Sequence, residues 1–81
     1  MSNTDFYRVS VEVEDVPAYS TSLFGAETEA EEVFSSVIHR AWKVSERHTS
    51  FNPTVRLYRN GDLVSEKSIL DFRLTRDNLN S

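Results

Sequence analysis

The side chains in this sequence that could do chemistry are two histidines, thirteen carboxylates and nine Lys or Arg residues. Zinc sites on one helix place ligands at i, i+3 or i+4 and are completed by further His or Cys. His39 and His48 lack that spacing, and the chain has no cysteine. Both are read as surface histidines. Nucleophilic catalysis needs a Ser, Thr or Cys beside a base that an acid orients. Serines are plentiful, but none sits in a Gly-x-Ser-x-Gly turn. Gly25 and Gly61 are the only glycines, which leaves no glycine-rich loop to cradle phosphate. The residues predict no enzyme, no metal site and no cofactor.

Recognition chemistry is better represented. Arg40, Lys43 and Arg47 recur at helical spacings of three and four and share one side of the last turns of a helix. Phe6, Arg8, Arg56 and Tyr58 occupy alternate positions on two predicted strands, pointing away from the predicted core. With Lys67 and Arg73 they would make a basic sheet face with an aromatic component, a type of surface that suits phosphates and stacked bases. The acidic pI near 5.0 and the outward Glu12 and Glu14 oppose that use. Residues 1–39 hold eight acids against Arg8 alone, whereas residues 40–81 hold eight bases against five acids. A sheet interleaves distant segments, so this polarity is expected to average out in the fold. The acids Glu27, Glu29, Glu31 and Glu32 fit ordinary electrostatics at a helix N-terminus better than a phosphate mimic.

The elements that position these groups follow from periodicity. Phe6 to Glu14 alternates strictly, with Tyr7, Val9, Val11 and Val13 on one face, and so predicts a strand. Asp15-Val16-Pro17 reads as a break, and Tyr19 to Gly25 as a second strand or an extended loop. Thr28 and Glu31 match a capping box at the start of a helix over residues 28–45. Its apolar stripe is Ala30, Val33, Phe34, Val37, Ile38, Ala41 and Trp42. A third strand runs from Thr54 to Arg59, and Asn60-Gly61 is a strong hairpin signal. The returning strand is predicted from Leu63 to Thr75, with Val64, Leu70, Phe72 and Leu74 in the core. A two-residue turn would place Glu66 on the same face as Val55, unless a bulge shifts the register.

The fold class expected is α+β with the order ββαββ: one antiparallel sheet with one helix packed on one face. Eighty-one residues make a single domain, with ends at 1–4 and 76–81 expected to fray. Five Phe, three Tyr and one Trp with 38% hydrophobic residues exclude a disordered chain. No apolar run reaches the roughly 20 residues needed to span a bilayer. The absence of cysteine and of a basic-then-apolar leader predicts a cytoplasmic protein.

The strand Phe6–Val13, a second extended segment, the run Ala26-Glu27-Thr28-Glu29-Ala30-Glu31-Glu32 and the following strand pair resemble small phage-encoded host-takeover proteins. These include phage inhibitors of bacterial RNA polymerase and anti-CRISPR proteins. The resemblance covers residues 1–35, and Ala30 stands earlier than in the inhibitor's helix start. It implies a protein that binds and blocks a large host complex without chemistry of its own. The expected function is therefore non-catalytic protein binding through Phe6, Arg8, Arg40, Lys43, Arg47, Arg56 and Tyr58. A small nucleic-acid-binding domain using the same basic residues is the second reading, and a homodimer the third. Replacing Arg56 and Tyr58 together by Ala is expected to leave the fold intact while abolishing capture of the partner.

Overall fold

The computed structural model describes residues 5–72. Its elements are β1 (Asp5–Val13), β2 (Val16–Gly25), α1 (Glu27–Arg47), β3 (Thr54–Arg59) and β4 (Asp62–Ser68). The strands form one antiparallel sheet in the order β2-β1-β3-β4, and α1 crosses one side of it. This is the expected ββαββ arrangement. The predicted ends at 1–4 and 76–81, together with Arg73 and Leu74, lie outside the described residues.

Alternation decides which side of β1 is buried. Tyr7, Val9 and Val11 face the helix and are buried, with Val55 and Leu57 beside them on β3. The helix contributes Ala30, Val37 and Ala41 to this core, with Val33, Phe34, Ile38 and Trp42 half-buried around it. The predicted stripe is thus the inward one. Alanines at two of its innermost positions let the helix backbone approach the sheet closely, leaving the larger residues to pack along the flanks.

The helix starts at Glu27, with Ala26 at the N-cap position and no side-chain cap. The capping box of Thr28 and Glu31 does not form, because Thr28 already lies within the first turn. Glu27 and Glu29 meet the positive end of the dipole instead. At the other end the helix extends to Arg47. Ser45, expected in a polar exit loop, is fully buried, and its hydroxyl donates to the Trp42 carbonyl at 2.8 Å. This return bond inside the last turns satisfies a hydroxyl that the core would otherwise strand.

Both hairpins turn on two residues in the left-handed region. Val13 pairs with Val16, so the first turn is Glu14-Asp15, at φ 52° and 65°. The break predicted at Asp15-Val16-Pro17 is instead the start of β2. Pro17 is tolerated because β2 is an edge strand and a register shift beside it leaves Ala18 without a partner on β1. The second turn, Asn60 at φ 50° and Gly61 at φ 90°, matches its sequence signal.

The β3–β4 register differs from the simple two-residue hairpin. Leu57 pairs with Ser65 and Tyr58 with Leu63, so Val64 is the extra residue of a bulge and is 46% exposed. The bulge carries Glu66 to the outer face opposite Arg56, away from the apolar side chain of Val55. Burying a carboxylate there would cost more than exposing a valine does. β4 then ends at Ser68, and residues 69–72 form a helical turn. Strand alternation would have buried Leu70; the helical turn leaves it exposed and buries Ile69 completely, with Phe72 on the same side at i+3. The Ile69 amide donates to the Pro53 carbonyl at 3.0 Å, which holds the start of this turn against the chain leading into β3.

Glu14 and Asp15 adopt a conformation that costs an ordinary L-residue about 1 kcal/mol or more, and Asn tolerates it better. Glu14→Asn is expected to stabilise the domain by about 0.5 kcal/mol, read as a rise in thermal midpoint. A fall in midpoint would contradict the turn geometry.

Candidate functional site

Among the described residues, the side of the sheet away from α1 is open, and β1 and β3 furnish its centre. Phe6, Arg8, Ser10 and Glu12 alternate outward on β1, and the register sets Arg8 beside Tyr58, and Ser10 beside Arg56. Phe24, Ser22 and Ser20 extend this face on β2, while Leu63 and Glu66 extend it on β4. Four of the predicted contact residues, Phe6, Arg8, Arg56 and Tyr58, therefore share one surface.

One half of this face is a polar network centred on Glu12, which is only 7% exposed although no helix covers it. Arg56 Nη1 donates to Glu12 Oε1 at 2.6 Å and to Asp15 Oδ1 at 3.3 Å, while its Nε donates to Glu66 Oε2 at 3.0 Å. The Tyr58 hydroxyl donates to Glu12 Oε2 at 2.9 Å. Burial works against the charged form of Glu12. Hydrogen bonds from Arg56, Tyr58 and Ser10, with the charge of Arg56, outweigh it and hold the carboxyl below its ordinary value of 4.5. Bonds to Glu66, Glu12 and Asp15 hold the Arg56 guanidinium more firmly protonated. Burial and the bond to Glu12 push the Tyr58 phenol up.

The other half is aromatic and apolar. The Phe6 and Phe24 rings lie 5.1 Å apart, and the Arg8 guanidinium sits 4.7 Å from the centre of the Tyr58 ring. Phe24 is 73% exposed, Leu63 49% and Phe6 38%. Asn60 ties this end together. Its amide donates to the Phe6 carbonyl at 2.7 Å, and its side chain bonds both the Phe6 amide and Asp5, each at 3.1 Å.

Arg40, Lys43 and Arg47 fall on α1, on the other side of the molecule from the sheet face. With Val44 they line a shallow depression beside an apolar cleft of about 250 Å³ bounded by Val11, Tyr19, Val37, Ala41 and Phe51. The predicted contact residues thus belong to two surfaces. Lys67, placed by the sequence reading on the basic sheet face, turns to the helix side, with its ammonium 5.6 Å from the centre of the Phe72 ring. Trp42 closes the core, edge-on to Phe72 at 6.0 Å and tilted against His39 at 5.7 Å. Phe24 escaped the sequence reading. The turn at Glu14-Asp15 alone would set Leu23 opposite Phe6; the extra residue Ala18 shifts the register by one and brings Phe24 there, a shift with no local signal in the sequence.

The network also overturns the expectation that Arg56 and Tyr58 can be removed together without harm. They are the partners of a buried carboxylate, and losing both would leave Glu12 desolvated and uncompensated.

Fold and site together define an open-faced α+β domain: one helix on one side of the sheet, and a half-ionic, half-aromatic surface on the other. No protein-family model, curated protein or solved structure matches the chain. No group of three or more His, Cys, Asp or Glu among the described residues is placed to hold a metal ion, and no helix among them is long and apolar enough to cross a membrane.

Tyr58→Phe removes one bond to Glu12 and is expected to cost about 1 kcal/mol in urea unfolding at pH 7. Because the folded-state value of Glu12 is depressed, its stabilisation is fully present above pH 4.5 and is lost as pH falls through the lower folded value. The stability gap between the wild type and Glu12→Gln should therefore narrow with acidification below pH 4.5. A gap that is constant down to the acid transition would contradict the network.

Proposed function

We propose that this chain is a non-catalytic protein-binding domain whose contact surface is the aromatic half of the open sheet face. The observation that carries the reading is the Phe6–Phe24 pair left in solvent at one end of the face, with the Arg8–Tyr58 stack beside it and exposed Leu63 next to Tyr58 on β4. Contiguous exposed apolar surface rimmed by polar groups is the usual mark of a contact site, and aromatic residues and Arg dominate binding energy within such sites. The adjoining network serves this role by rigidity. It fixes β1 and β3 without covering them, so the aromatic residues are presented from strands and not from a loop. A cysteine-free sequence is compatible with work in a reducing cytoplasm. Occupation of a larger assembly, the mode implied by the phage-inhibitor resemblance, would need no more than such a surface.

Nucleic-acid binding is less well supported. Arg56 is engaged by three carboxylates, and Lys67 lies on the helix side, so Arg8 is the main cation left on this face.

The test uses Phe24→Ser combined with Phe6→Ser, which spares every member of the Glu12 network. The double variant is expected to stay folded and to lose a partner that immobilised wild-type chain captures. Undiminished capture by the double variant would overturn the assignment. Steeply salt-dependent binding of mixed oligonucleotides would overturn it in favour of nucleic acid.

A further inference from the structure

The two edges of the sheet are built differently. β4 carries Asp62, Glu66 and Lys67 and is bent by the bulge at Val64, the usual means by which an edge is kept from pairing. β2 carries no charged residue from Val16 to Gly25, and it runs regularly from Tyr19 to its end. Its N-terminal part is blunted by Pro17 and the adjacent register shift, so the segment left open is Tyr19–Gly25. The helix lies over β1 and β3, leaving Tyr19 52% exposed on the helix side of β2 and Phe24 73% exposed on the other.

We propose that β2 is a self-pairing edge: two copies of this chain join antiparallel through β2 to form one eight-stranded sheet with both helices on the same side. The strand itself argues for this occupant. A twofold axis normal to the sheet keeps each side chain on its own face, so only residues of matching alternation can lie opposite each other. Centring the axis on Thr21 places Thr21 opposite its own copy, Ser20 opposite Ser22, and Tyr19 opposite Leu23. Hydroxyl meets hydroxyl and aromatic meets aliphatic, the cross-strand pairs that stabilise antiparallel ladders. Centring on Ser22 would set Ser20 against Phe24 and Tyr19 against Gly25, which matches neither chemistry nor size.

Charge supports the same symmetry. The groove beside Tyr19 and Thr21 is bordered by Glu32 at one end of the facing helix segment and Arg40 at the other. The twofold reverses one groove against the other and so brings the acidic end of each copy toward the basic end of its mate. A strand pair with this border is smaller than the roughly 1,200 Å² at the low end of stable interfaces, so the association is concentration-dependent.

This inference is independent of the sheet-face reading, because the edge and the aromatic cluster are changed by different substitutions. Sedimentation of the wild-type chain over a wide concentration range is expected to show reversible monomer–dimer exchange. Thr21→Lys alone and Thr21→Glu alone should each weaken self-association about tenfold or more, since like charges then face each other across the axis. An equimolar mixture of the two variants should restore dimers as the mixed pair. Tyr19→Ser, at a helix-side position 52% exposed and so a safer variant for folding, should also weaken association by removing the contact with Leu23 of the mate. A strictly monomeric wild type, unaltered dimers in the charged variants, or no rescue on mixing would each overturn pairing about Thr21.

Discussion

The width of one helix governs this structure. A helix with its side chains is about 10 Å across, whereas four strands span about 14 Å between the outermost backbones. A single α1 therefore covers part of the sheet, and it covers β1 and β3, whose inward residues are the buried ones. β2 and β4 are left with one wall each. Among the described residues, no element covers the far side. Each unusual feature of the molecule answers that deficit: a saturated polar network in the centre of the open face, a charged and bulged strand at one edge, and an uncharged strand at the other.

The network is the answer with the most physical content. A small sheet open on one side has to satisfy its central strand there without a second hydrophobic layer. Glu12 reaches near-complete burial with both carboxylate oxygens bonded to side chains of the neighbouring strand, Oε1 to Arg56 and Oε2 to Tyr58. The arrangement locks the register of β1 against β3, because a slip by one residue would turn Glu12 toward the helix and break three side-chain contacts at once. It also confines the exposed aromatic groups to the opposite end of the face, where Asn60 anchors the start of β1.

Much of this was legible in the sequence. Strict alternation in β1, the helical stripe from Ala30 to Trp42 and the Asn60-Gly61 turn each carry a local signal that the fold keeps. Where the sequence reading departs from the fold, the deciding interaction is distant. Glu14-Asp15 has no glycine to announce a tight turn, and Pro17 looks like a breaker until β2 is known to lie at an edge. The bulge at Val64 is selected by a pairing between Glu66 and Arg56 that spans the hairpin. The helical turn at 69–72 follows from the need to bury Ile69, which alternation alone would have exposed. For the site, residue types and faces were readable, but not the neutralisation of Arg56, since the carboxylates that accomplish it come from β1, the first turn and β4.

The strand order has a consequence for how the chain is made. β1 is central, yet its two neighbours arrive at very different times: β2 follows after a two-residue turn, whereas β3 begins only at Thr54, after the whole helix. On a ribosome the first hairpin can close early, but one side of β1 must then wait for residues 54–59 to emerge. During that interval the inward valines and the unpaired backbone of β1 are held in a two-stranded ribbon that is marginal on its own. The helix, emerging next, is the first element able to shield the valines. Folding speed should thus be limited by closure of the long loop between β1 and β3, and not by either hairpin.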